Sequence, residues 1–249
     1  MKEIKIKGLV RRLITALVCC VVLFCYYKAN VNKPAEENGG KDVPKIESTD
    51  VFQYSLVPEF DGENAYVIVN ENEPYFADLS DMTYAYEEYG KLDNLGRCTT
   101  AVANVGKELM PTEERGSIGS IKPTGWQTYK YDFVDGKYLY NRCHLIGYQL
   151  TGENANKNNL ITGTRYMNVE GMLPFEDMVA DYVKETDNHV LYRVTPIFVD
   201  KELVARGVLM EAKSVEDGGE GICFNVFVFN NQPGVEIDYQ TGESWLKEE

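Results

Sequence analysis

The chain has only two histidines in 249 residues, and its six cysteines include no C-x-x-C pair. There is no H-E-x-x-H, which excludes the common zinc-protease arrangement. No Walker phosphate loop, G-x-G-x-x-G or G-x-S-x-G nucleophile elbow occurs either, so the usual signatures of nucleotide-binding folds and α/β-hydrolases are missing. Cys19, Cys20 and Cys25 sit in an apolar N-terminal stretch, which leaves Cys98, Cys143 and Cys223 for the rest. An odd set cannot all pair within one chain, so a disulfide framework does not organise this protein, although one bridge among the three stays open. A nucleophile–base pair built on Cys143 and His144 is also excluded, because neighbours on an extended segment point to opposite faces. No internal repeat is evident.

Negative charge, by contrast, is abundant: the formal net charge is −14, which argues at first against a polyanionic substrate. Its distribution answers part of that objection. The first 50 residues hold nine Lys/Arg and six Asp/Glu, so the remainder carries −17. Within that remainder the tract from Arg115 to Asn168 runs the other way. It holds Arg115, Lys122, Lys130, Lys137, Arg142, Lys157 and Arg165 against Asp132, Asp135 and Glu153, a local +4. An acidic body with one basic tract can bind a phosphate backbone, more so when a divalent cation adds its charge.

Lys2, Lys5, Lys7, Arg11 and Arg12 precede an uncharged run from Leu13 to Tyr27. A positive flank before an apolar core is the layout of an export signal. The run is 15 residues long, below the ~20 of a typical spanning helix. Residues 1–27 are therefore expected to be a signal peptide or membrane anchor, with the chain after it extracellular. No small-x-small cleavage site follows, so cleavage versus tethering is open. Residues 28–50 are polar, with two prolines and a Gly-Gly pair, the composition of a flexible linker.

The domain is expected over 51–249. Residues 65–69 read as a short strand and Tyr138 to Gly147 begins extended. Residues 151–159 are almost all Thr, Gly, Asn, Lys and Glu, a loop. Phe175, Met178, Val179, Tyr182 and Val183 share one face of a helix, which Pro174 can start after a break at Gly171. Val190–Phe198, Leu203–Met210 and Ile222–Phe229 read as three further strands; residues 83–89 and 97–105 give no assignment. The fold class is α+β, with antiparallel strands around few helices.

On an extended segment Arg142 and His144 share one face, and Asn141 and Cys143 share the other. A permanent cation beside a group that takes a proton near pH 7 is what phosphodiester hydrolysis asks of a protein when a metal is at hand. A lone histidine is more often a buried, hydrogen-bonded one; the wider pattern decides the matter. Asn141-Arg142-Cys143-His144, then Asn159 and Asn168, then Glu176, resembles the bacterial DNA/RNA non-specific endonucleases, which are ββα-metal (His-Me finger) nucleases. The family motif is Asp-Arg-Gly-His, two asparagines nine apart, and a glutamate eight after the second. This chain matches the Arg, the His, both Asn and the Glu at that spacing, and the likeness extends over about 54–242. Asn141 and Cys143 depart from the motif's Asp and Gly.

The resemblance implies a ββα-metal core and hydrolysis of DNA, and of RNA as a further substrate, to 5′-phosphate products. It implies His144 as general base, Asn168 as ligand of Mg²⁺ or alternatively Mn²⁺, and Glu176 holding a metal-bound water. On a continuous helix residues 168 and 176 differ by about 80°. Asn159 would position the metal site or the phosphate; Arg142, Arg165 and Lys157 would contact substrate. Tyr148 and Tyr166 have rings able to stack on bases, though core packing is their commoner use. His189 has no partner in the motif and reads as structural. The membrane is expected as a partner only through the N-terminal segment, and the oligomeric state is open. The rivals are a non-catalytic surface protein that binds nucleic acid, a delivered toxin and an exported structural protein. The first needs no His144; the others lack a delivery domain or leave the spacing to coincidence.

Overall fold

The computed structural model describes residues 43–46, 49–76 and 84–248. The expected export segment at 1–27 and most of the linker lie outside them. No helix among the described residues is long and apolar enough to cross a membrane.

Six strands form one antiparallel sheet. They are β1 (Tyr66–Ile68), β2 (Tyr86–Tyr89), β3 (Ala101–Val105), β6 (Val190–Ile197), β7 (Gly207–Ser214) and β8 (Cys223–Phe229), in the order β1-β8-β7-β6-β3-β2. A separate hairpin pairs β4 (Tyr140–His144) with β5 (Leu160–Thr164), and a small ribbon pairs β9 (Val235–Ile237) with β10 (Ser244–Leu246). Among the described residues the α-helices are α1 (Tyr148–Thr151) and α2 (Leu173–Thr186). The α+β expectation therefore holds.

β7 and β8 are buried almost without alternation because both faces of the sheet are covered. On one face Val208, Met210, Val226 and Val228 pack with Cys143, Ile146, Phe175, Val179 and Val183 from the hairpin and α2. On the other, Val67, Leu209, Phe227 and Phe229 meet Phe52, Tyr54 and Phe60 from the leading segment. Asn230, with no exposed surface, ties hairpin to sheet. Its Nδ2 donates to the carbonyls of Thr162 and Ala205, and its Oδ1 accepts from the Thr164 amide. Buried amides leave few alternatives once their partners are chosen, so the hairpin's position is fixed.

Two expectations need correction. The strand read over Leu203–Met210 starts later, at Gly207, and runs to Ser214. The Leu203 and Val204 amides both donate to the Tyr239 carbonyl instead of to a sheet neighbour. A Cβ at Gly207 would lie 2.2 Å from the Val228 carbonyl oxygen, so the strand can pack there only on a glycine. Nor does the chain break at Gly171. Helix runs through from Arg165, with a π-helical segment at Met167–Met172 before α2. Pro174 has no amide hydrogen to donate, and the Leu173 amide bonds to Asn168 O, five residues back. Gly171 serves close approach, since a Cβ there would lie 2.3 Å from Val228 Cγ1. All three described cysteines, Cys98, Cys143 and Cys223, are free thiols.

Candidate active site

β4, the π segment and the start of α2 converge on an open cleft of about 1190 Å³ lined by Arg115, Arg142, His144, Arg165, Asn168 and Glu176 among others. His144 ends β4, where the Leu145 amide bonds to Asn159 O at 2.8 Å. Only 7% of its surface is exposed. Nε2 lies 2.8 Å from the Asn154 carbonyl oxygen and Nδ1 lies 3.2 Å from Arg115 Nη2. A carbonyl only accepts and a guanidinium only donates. The neutral tautomer with hydrogen on Nε2 satisfies both and leaves the lone pair on Nδ1. Burial pulls the His144 pKa below 6.5; the Asn154 carbonyl opposes this and the Arg115 charge adds to it. The ring is neutral at neutral pH, as a base must be.

Glu176 lies in the first turn of α2, buried against Gly147. A Cβ on Gly147 would lie 2.5 Å from Glu176 Oε2, so only glycine there admits the carboxyl group. Burial raises its pKa to about 8, helped by Asp177 and opposed by Arg115 and the Gly147 amide. Asn168 sits on the π segment, a wide-turn geometry frequent at functional sites. Its Nδ2 lies 3.3 Å from Asn141 Oδ1, which leaves its own Oδ1 for another partner. Asn141 Oδ1 also accepts from Arg165 Nη1 at 3.4 Å, and Arg165 holds Asp135 at 2.6 Å.

The face assignment read from the sequence holds for Cys143, which is fully buried in the core, but not for Asn141, which lines the cleft beside Asn168. Arg142 also lines the cleft. Its guanidinium stacks 4.0 Å over Trp126 and donates to the carbonyls of Ile121 and Gly119, so it holds the cleft's loop wall. Asn159 does not reach the cleft. It is fully buried, with Oδ1 accepting from the Ile146 amide and Nδ2 donating to the Ile146 carbonyl, both at 2.9 Å. That pair of hydrogen bonds pins the chain just after His144. Lys157 is exposed and absent from the lining. Tyr148 lines the cleft with its hydroxyl on Glu113 O, whereas Tyr166 packs on Phe60. His189, which read as structural, pairs with Glu216 at 2.6 Å.

Sequence reasoning missed Arg115 as a site residue, and it had no local signal beyond a charge in the basic tract. Gly147 and the Asn154 carbonyl were missed too; the glycine's place just after the motif was the one available clue.

No group of three or more His, Cys, Asp or Glu among the described residues could hold a metal. The oxygens facing the cleft that could hold a metal are Asn168 Oδ1 directly and, through water, the Glu176 carboxyl group beside Gly147.

The family model for DNA/RNA non-specific endonuclease matches residues 78–216, a stretch that contains Arg115 and every motif residue. A deoxyribonuclease of Streptococcus dysgalactiae subsp. equisimilis is 37% identical over 110 residues, 42% of this chain and 32% of that protein. This match spans about a third of the relative's length. The crystal structure of NucA from Streptococcus agalactiae with magnesium ion bound superposes with a TM-score of 0.66 at 28% identity, covering 74% of this chain and 87% of that one. The Sda1 nuclease with bound zinc ion gives 0.59 at 28% identity, covering 75% and 97%. The motif spacing, the hairpin and helix that carry it, and a family match over more than half the chain all agree: the fold is that of the ββα-metal nucleases, and the chain belongs to the DNA/RNA non-specific endonuclease family.

Proposed function

We propose that the protein is an exported, metal-dependent endonuclease that hydrolyses phosphodiester bonds of DNA, and of RNA, to 5′-phosphate products. The observation that carries this reading is His144, held neutral at the cleft floor with its Nδ1 lone pair assigned by the Asn154 carbonyl. Nδ1 takes the proton from a water that attacks phosphorus in line. Arg115, already beside that nitrogen, reaches the phosphate oxygens that gain charge in the transition state. Asn168 Oδ1 would hold Mg²⁺ or Mn²⁺, and Glu176 would hold water beside it. When bound, the ion supplies charge against the scissile phosphate and the leaving 3′ oxygen. Arg165 contacts the flanking backbone, while Arg142 and Asn159 position the cleft wall and the end of β4. Lys157, outside the lining, serves flanking substrate at most. Export rests on residues 1–27, through which the chain would also meet the membrane.

His144→Ala, assayed on plasmid DNA with Mg²⁺, is expected to lose roughly 10²–10⁴-fold in rate with its circular dichroism unchanged. In the wild type the rate should climb with pH along a limb centred below 6.5, as the buried imidazole sheds its proton. Activity near wild type in His144→Ala would overturn the assignment. A wild-type protein that cuts nothing yet retards DNA in a gel with or without EDTA would favour a non-catalytic surface binder instead.

A further inference from the structure

One wall of the cleft is aromatic, and the proposed chemistry leaves it unused. Trp126, Tyr129, Tyr138 and Tyr140 line it. Trp126 is covered by Arg142 and Tyr140 is buried. Tyr138, in contrast, is 48% exposed. It lies at the end of a rim turn whose ends, Lys130 and Tyr138, form an antiparallel bridge. The turn is closed by Tyr131 N to Lys137 O at 2.9 Å and Lys137 N to Val134 O at 2.8 Å. Lys130 Nζ lies over one face of the Tyr138 ring, 4.5 Å from its centroid, so a base would stack on the opposite face.

This rim is joined to the reacting end. Asp135, within the turn, pairs with Arg165; Arg165 reaches Asn141, and Asn141 bonds Asn168. A ring held this way keeps its place relative to the residue proposed to hold the ion. An exposed ring with Lys130 on one face, in a cleft that Lys122 and Arg165 also line, matches the make-up of single-strand binding sites, where bases stack on aromatic faces beside a cationic groove.

Resting on the nuclease reading, we infer that Tyr138 is a stacking platform for an unpaired base, and that the preferred substrate is single-stranded or locally unpaired nucleic acid. Both faces of a base in a duplex are already covered by its neighbours, so it must leave the stack before it can lie on Tyr138. The floor position of His144 works in the same direction, because the scissile phosphate must descend to a nitrogen that is largely buried. A flexible single strand bends into such a cleft more readily than a duplex.

The test compares initial rates on one oligonucleotide sequence, single-stranded and as duplex, with Mg²⁺. Tyr138→Ala should lower the ratio of single-strand to duplex rate about tenfold, and Tyr138→Trp should restore it. In a second measurement, 2-aminopurine in a single strand should be quenched on binding His144→Ala protein. Adding Tyr138→Ala to that protein should relieve the quenching. A ratio unmoved by Tyr138→Ala, with quenching intact, would overturn the stacking role and leave the nuclease reading standing. A wild-type protein that cuts neither substrate would overturn both.

Discussion

At the scale of single residues, the two departures from the family motif have different physical outcomes. Cys143 needs room behind β4, and Gly163 across the hairpin supplies it: a Cβ there would lie 2.4 Å from the Cys143 sulfur. Asn141 keeps the acceptor oxygen that an aspartate would offer to Asn168 and Arg165, and gives up only the charge. Glu176 sits where burial disfavours its charge. An unfolded carboxyl ionises near 4.5, whereas burial keeps this one protonated until about 8. Between those values the folded state binds more protons than the unfolded state, so stability falls as pH rises through the window. Glutamine has the shape of the neutral acid and does not titrate. In EDTA, Glu176→Gln should therefore melt close to wild type at pH 4.5 and roughly 10 °C above it at pH 8. A melting difference that stays constant across this range would show that the carboxyl ionises normally.

The π segment shows how an element can place a ligand that spacing alone only suggests. Asn168 and Glu176 were legible by their interval, but the turn between them was not, because Gly171 and Pro174 read as a break. What joins the two halves is tertiary: β8 lies so close under Gly171 that only a hydrogen fits. Gly171→Ala sets two effects against each other. Alanine gains about 1 kcal/mol in helix propensity, while forcing a methyl against the fully buried Val228 costs about 1–3 kcal/mol. Val228 cannot swing aside, so the clash wins. The variant should melt a few degrees lower and lose activity beyond its loss of folded protein, because Asn168 moves with the segment. A higher melting temperature would show that β8 yields. The same reasoning separates legible from illegible elements. α2, β6 and β8 carry long apolar patterns and were found from them, with β1 as a shorter case. β3 is Ala-Val-Ala-Asn-Val, too small in its side chains to signal a central strand, and β5 is Leu-Ile-Thr-Gly-Thr directly after an asparagine-rich loop. Arg115 and Tyr138 reach the cleft on loops, whose course no period encodes.

For the molecule as a whole, the question is how a chain of net charge −14 handles a polyanion. Were the mean field to govern, salt would screen the repulsion and strengthen binding. The cleft argues for the opposite sign, since it gathers Arg115, Lys122, Arg142 and Arg165 on its lining. Its one lining carboxyl group, Glu176, is protonated at neutral pH in the metal-free protein. Exposed acidic groups elsewhere act across water and are screened within about 10 Å at 0.1 M salt. Arg165 is partly neutralised by Asp135 and Arg142 is engaged with backbone carbonyls, so roughly two to three phosphates are neutralised in full. Single-strand affinity should then weaken with salt, with a slope of log Kd against log salt of about 2. Fluorescence anisotropy of a labelled strand on the His144→Ala protein measures this, and Lys122→Ala should lower the slope by about 0.7. A slope of zero or below would mean that the acidic body governs encounter and that the basic tract is ordinary surface.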